Sequence, residues 1–341
     1  MELPRKKPGR ATLVLLAALV GAALATVALW PRGGAAGRDG KLHLVCTFLP
    51  VYVFTLNVVA DVPDVDVRLL VERDVGCPHS YSLTGQDLKL LSEADVIVAN
   101  GLGVEPFLDR VTRGQHAAEV ITISDECDVL RLRSGEAEAD DHDHADDHAD
   151  HHHDPSDVNP HTWVSPRQAA IEVRTLARKL GQVAPPRAEA FRANGEAYAR
   201  RLESLAGRME AAARSFTNRN IVTGHAAFDY LARDLGLNVV ATLSVVPGET
   251  GSAAQMARLI DTIRRTHAAA VFWEPPFADK VAQTIARDGA VPVYPLNPFN
   301  TDAGLPPAAT LDDTRRMYEN VMEQNLATLQ RALTTTTAPA E

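Results

Sequence analysis

The histidines of this 341-residue chain fall into two settings that imply different chemistry. Six of the twelve, His142, His144, His148, His151, His152 and His153, lie in the run DDHDHADDHADHHHD at 140–154. That run is polar, of low complexity and without a hydrophobic period, so it cannot bury the apolar surface that ordering requires. Imidazoles packed this densely among carboxylates suit borderline divalent cations such as zinc; the plainer alternative is a solvated acidic linker. His79 in CPHSYSLT, His161 in NPHTW and His225 in TGHAAF stand instead among turn formers and small residues, which present the ring on a loop. Taken singly, each reads as a cap or a surface residue. Three with the same placement supply imidazole nitrogens and leave a fourth position for water or an acidic side chain, a donor set that zinc accepts. His43, His116 and His267 lack that setting and read as structural or exposed.

The elements that must position these loops alternate between strand and helix from Lys41 onward. LHLVCTF, VDVRLLV, ADVIVAN and VITIS read as strands, separated by helices over PVYVFTLNVVA, 84–92 and EPFLDRVTR. After Pro166 the pattern turns helical: 167–181 closes at a glycine and the Pro185-Pro186 pair, and 187–216 then carries Phe191, Tyr198, Leu202, Leu205 and Met209 at three- and four-residue steps. About thirty residues of helix reach some 45 Å, enough for a rigid spine between two lobes. The second half repeats the rhythm, with strands NIVTGH, NVVATLS, AAVFWE and VPVYPL, and helices AFDYLARDLG, SAAQMARLIDTIRRTH, FADKVAQTIARDG and 310–333. Strands separated by helices imply parallel sheets covered on both faces, so the expectation is an α/β protein of two lobes, each around a parallel β-sheet flanked by helices. The boundaries are 41–186 for the first lobe, including a His/Asp-rich loop at about 135–157, then 187–216 for the linking helix, 217–333 for the second lobe and 334–341 for a tail. Ligands in such sheets sit outside the carboxyl ends of strands, and the three loop histidines stand at such places.

Composition excludes some functions. A net charge of −10 argues against nucleic acid, which needs a clustered basic surface. Cys46, Cys77 and Cys127 are too few and too scattered for a disulfide framework or a CxxC knuckle; one bridge at most could form. The length suffices for two domains, each with its own core. At the amino terminus Arg5, Lys6, Lys7 and Arg10 precede an uncharged apolar run, 11–30, of about membrane-spanning length. Positive charges before such a run predict export of the remainder of the chain, to the periplasm or the outer face of the cytoplasmic membrane. Ala23-Leu24-Ala25 resembles a cleavage site, yet the run continues to Trp30, so a lost signal peptide and a retained anchor both stand, with 32–40 as a flexible Gly/Ala spacer.

PHSYSLTGQDLKLLSEADVIVANGLGVEPFLD, NPHTWVSP, VTGHAAFDYLA and VFWEPPF, in that order and with an acidic histidine-rich insertion before the second, resemble the successive signatures of zinc-specific solute-binding proteins of bacterial ABC importers, the cluster A-I metal receptors. The resemblance covers 41 to about 333. It implies two α/β lobes joined by one long helix with the metal in the cleft between them, no enzymatic activity, and a monomer that hands Zn2+ to the membrane subunits of an ABC permease. Carried over, the metal histidines fall on His79, His161 and His225, and histidine at the third position matches the zinc branch where manganese binders usually have glutamate. Imidazole suits zinc better than the harder manganese ion. The chain departs from the family at the fourth ligand: many relatives carry aspartate where Asn297 stands, and Pro78 occupies the place of a glutamate used by some zinc receptors. Water, Asn297, Asp302 or Glu274 would complete the shell. Glu274 hydrogen-bonding a strand-end loop is the plain alternative, as is a solvated helix face for Asp229, which otherwise could orient His225. Cys77 is a ligand on chemistry alone, although Pro78 points it away from His79. The six histidines of 140–154 become an auxiliary zinc collector. No GxxxxGK[ST] segment is present. Two other classes fit parts of the pattern: an exported zinc hydrolase, which the lack of HExxH disfavours, and a metal-dependent surface adhesin.

Overall fold

The structure, a computed structural model, describes residues 39–71, 78–111, 118–132, 158–242, 253–274, 279–301 and 310–334. Residues 1–38, the acidic histidine run, Cys77, His116 and Asp302 lie outside the described residues. Among the described residues no helix is long and apolar enough to cross a membrane.

Short apolar runs build two parallel sheets of four strands with the same strand order. In the first, β1 (Leu42–Cys46) pairs on one side with β2 (Val65–Leu69) and on the other with β3 (Val96–Ala99), which pairs with β4 (Glu119–Thr122). In the second, β5 (Asn220–Thr223) lies between β6 (Asn238–Thr242) and β7 (Ala270–Trp273), and β8 (Val293–Pro295) closes the outer edge beside β7. Each sheet therefore has a crevice above its two central strands, where connections leave in opposite directions and a ligand can enter.

Helices α1 (Leu49–Val58) and α2 (Gly85–Ser92) belong to the first sheet. Thr84 starts α2 with a capping box: its hydroxyl accepts from Asp87 N, and Asp87 returns a bond to Thr84 N. The segment expected as a helix from Glu105 is only a 3₁₀ turn, Pro106–Arg110. Glu105 turns its carboxylate backward onto the N–H groups of Asn100 and Gly101 instead of holding the first helical turn.

Helix α3 (Pro166–Val183) begins at Ser165, whose hydroxyl accepts from Gln168 N, and packs along α4 (Ala188–Ala213). At their crossing Gly195 lets the helices close: a Cβ there would stand 2.5 Å from Ala177 Cβ. With 26 residues α4 runs about 39 Å at 1.5 Å per residue, shorter than expected because it frays into turns before Phe216. The second lobe adds α5 (Asp229–Leu235), α6 (Ala253–Thr266), α7 (Asp279–Gly289) and α8 (Leu311–Leu333), the last opened by a Thr310–Asp313 capping box.

The lobes do more than share a spine. Helix α8 packs back against α1 of the first lobe, where Tyr318 meets Phe54 edge-to-face at 5.2 Å. One hydrophobic cluster consequently runs from Leu44 and Val98 under the first sheet through Trp163, Tyr198 and Leu202 to Phe272 and Leu296 under the second. Two separate cores were the expectation; instead a smaller satellite around Ile263, Val271 and Ile285 covers the outer face of the second sheet.

Candidate metal centre

The chain enters the site at 158–163, between the lobes. Asn159 directs this turn. Its side-chain NH₂ donates to Ala226 O (2.8 Å) and Asp229 Oδ2 (3.4 Å), while its backbone oxygen accepts from Tyr230 OH (2.6 Å), all three in the second lobe. The first lobe holds the next residue, Pro160, whose oxygen accepts from Asn100 Nδ2 (3.1 Å). Trp163 is gripped from both sides: its ring packs against Phe48 (centroids 4.9 Å apart), Nε1 donates to Pro298 O (2.9 Å), and its oxygen accepts from Tyr318 OH (2.7 Å). His161 is thus carried on a segment fixed to both lobes, and it is 5 % exposed.

His79 arrives from the 3₁₀ turn Pro78–Ser80 after β2, and His225 from the loop that follows β5. The structure brings the three rings together: the centroid of His161 stands 5.5 Å from that of His79 and 5.0 Å from that of His225. Two imidazoles bound to one zinc at a tetrahedral angle, with Zn–N about 2.0–2.1 Å and the centroid roughly 1.1 Å behind each nitrogen, stand about 5 Å apart. The two observed spacings, 5.5 and 5.0 Å, lie close to that value. Among the described residues no group of three or more His, Cys, Asp or Glu side chains is arranged so that it could hold a metal ion as it stands.

The Nδ1 atoms of His161 and His225 meet oxygens. His161 Nδ1 lies 2.9 Å from Asn159 Oδ1, and His225 Nδ1 meets Glu274 Oε1. A neutral ring that keeps its proton on Nδ1 carries its lone pair on Nε2, the form in which Nε2 can bind a metal. Burial, reinforced by the neighbouring His225 and His79, holds the His161 pKa well below 6.5, so the ring stays neutral.

The remaining candidates separate. Asn297 spends Oδ1 on Phe299 N (2.7 Å) and is pinned by Asn325, so its side-chain oxygen serves a tight turn in which Phe299 takes φ 61°. Glu274, 3 % exposed, stands against His225. Asp229 bears on the site through Asn159 and thence His161. Two buried acids lie beneath the His161 turn. Glu105 takes bonds from Thr47, Asn100 and Gly101, and Glu172 takes one from Thr162; burial pushes each up to about 7. The organising roles of Asn159 and Trp163 had no signal in the sequence beyond their nearness to His161.

Comparison with known proteins decides the family. The profile described as zinc-uptake complex component A, periplasmic, matches residues 44–332. The chain belongs to the ZnuA family. Within that family it is 32 % identical over 295 residues to the zinc-binding lipoprotein AdcA of Streptococcus pneumoniae, an alignment covering 86 % of this chain and 56 % of AdcA; the chain thus spans little more than half of that relative. The Zn(II)-bound ZnuA-like domain of Streptococcus pneumoniae AdcA superposes with a TM-score of 0.67 at 28 % identity, covering 87 % of this chain and all of the domain. The binding protein FpvC of Pseudomonas aeruginosa, in complex with Ni2+, gives a TM-score of 0.71 at 27 % identity over 88 % of this chain and 100 % of FpvC. The two-lobed fold of this ZnuA-family chain is therefore that of solved solute-binding proteins.

Proposed function

We propose that this protein is an exported zinc receptor that binds one Zn2+ through His79, His161 and His225 and delivers it to an ABC-type permease. The observation that carries the reading is the spacing of the three imidazoles about His161, at the separation a single tetrahedral ion imposes. Their delivery from separate stretches of chain, one of them fixed to both lobes, gives a site that a folded protein has and an unfolded chain lacks, which is what selective capture needs. Three neutral nitrogens favour zinc over manganese and leave the fourth position to water. The protein acts as a carrier with no turnover of its own. The acidic histidine run at 140–154 is proposed as a weak collector that raises the local zinc concentration.

The test is a competition titration of the exported chain lacking 140–154, alone and with His79→Ala, His161→Ala or His225→Ala. One tightly bound ion in the loop-deleted protein, weakened at least a hundredfold by each substitution, is the expected result. Tight binding that disappears with the loop and ignores the three substitutions would move the site to the loop and overturn the reading.

A further inference from the structure

The sheet order of the second lobe gives the histidine loop a companion. Strands β5 and β7 are neighbours in parallel register, Thr223 opposite Phe272, and Gly224 N continues the ladder onto Phe272 O at 3.1 Å. The next residues of each strand, His225 and Glu274, therefore leave the sheet side by side. Glu274 is 3 % exposed, and among the described residues its ion-pair partner is the His225 ring, through Nδ1.

A divalent cation held by three neutral imidazoles brings two positive charges into a site between the lobes. Asn297 is neutral and its side-chain oxygen is committed to Phe299. The carboxylate placed to answer that charge is Glu274, behind the ring of His225. We propose that Glu274 is a positioning residue that holds His225 with its proton on Nδ1, directs Nε2 at the cation and supplies the balancing negative charge without touching the metal. The proposal rests on the zinc-receptor reading above. A carboxylate behind a ligating imidazole raises its basicity, and its removal typically costs 10–100-fold in metal affinity. The same role at His161 falls to the uncharged Asn159 Oδ1, so both Nδ1 atoms meet an oxygen acceptor and, of these two rings, only that of His225 is backed by a carboxylate.

The experiment compares wild type, Glu274→Gln and Glu274→Ala in three measurements. Nitrogen-15 NMR of the metal-free protein reads the His225 tautomer; zinc competition reads affinity; the absorption spectrum of the Co2+-loaded protein reads the coordination shell. The expected result is a His225 proton on Nδ1 in wild type, retained with Gln and lost with Ala. Zinc affinity should fall about tenfold with Gln and about a hundredfold with Ala, and the Co2+ spectrum should keep its shape. Unchanged affinity in both variants, or a Nδ1 proton indifferent to Glu274→Ala, overturns the proposal while leaving the receptor reading intact. A Co2+ spectrum altered by Glu274→Gln overturns it by making Glu274 a ligand. A wild type that binds no zinc overturns both.

Discussion

The indole of Trp163 donates to the backbone oxygen of Pro298 at 2.9 Å, and this bond ties the segment carrying His161 to the loop that leaves β8. The ring also meets Phe48 of the first lobe in an edge contact, with centroids 4.9 Å apart. Replacing Trp163 by Phe keeps much of the packing and leaves a buried carbonyl without its donor. Stability should fall by about 1–3 kcal/mol in urea unfolding, with a loss of zinc affinity, since the lobes then hold the His161 turn less firmly. Unchanged stability and affinity would mean the bond does no positioning.

His161 and His43 should titrate in opposite directions. Burial and two neighbouring imidazoles depress His161, whereas His43 is raised by hydrogen bonds to Asp39 and Asp66. Imidazole NMR of the metal-free protein should find His161 neutral well below pH 6.5 and His43 still protonated above it. For His161 the unfolded chain takes up the proton first, so its contribution to stability is lost as pH falls below 6.5; for His43 the contribution is present below 6.5 and is lost as pH rises through its folded value. Equal midpoints near 6.5 would contradict the burial argument.

Glu172 has a carboxyl oxygen, Oε2, that is buried without a hydrogen-bond partner, and burial lifts its pKa from 4.5 to about 7. Between those values the native state holds more protons than the unfolded one, so this group lowers stability as pH rises from 4.5 to about 7. Glu172→Gln removes the ionisable group and with it that pH dependence. The variant should gain on wild type as pH is raised from about 5 to 7.5, by about 3 kcal/mol at most, in paired unfolding curves. A difference independent of pH would show that the carboxyl is already ionised.

Gly101 has φ 88°, and a Cβ there would stand 2.1 Å from Thr122 Cγ2. The backbone it shapes also donates to Glu105. Gly101→Ala combines a left-handed residue with a clash in the sheet and should destabilise by about 2–4 kcal/mol in the same unfolding assay. A loss under about 1 kcal/mol would mean the loop shifts freely.

The sequence was legible where local pattern decides structure. Runs such as LHLVC and VIVA become strands because they are short, apolar and bounded by turns, and 166–183 and 188–213 become helices because their apolar residues recur at helical steps. His79, His161 and His225 stood out by their loop settings. What local pattern could not convey was the partner of each ring. Glu274 lies 49 positions from His225 in sequence and reaches it only because β7 is laid beside β5. Helix α8 likewise reads as a closing helix of the second lobe, yet its Tyr318 reaches across to Phe54 and Trp163, so the lobes share one core. Glu105 opened what read as a helix, but two backbone N–H groups behind it claim its carboxylate.

Whether one ion sits among the three histidines is decided by an anomalous-scattering crystal structure of the zinc-loaded protein, recorded at the zinc edge. A single strong peak is expected between the lobes, bonded to ring nitrogens of His79, His161 and His225 at about 2.0–2.1 Å, with Glu274 on the far side of the His225 ring. A peak that lacks any of the three histidines, or zinc held elsewhere with the three rings unmoved, would contradict the zinc-receptor reading.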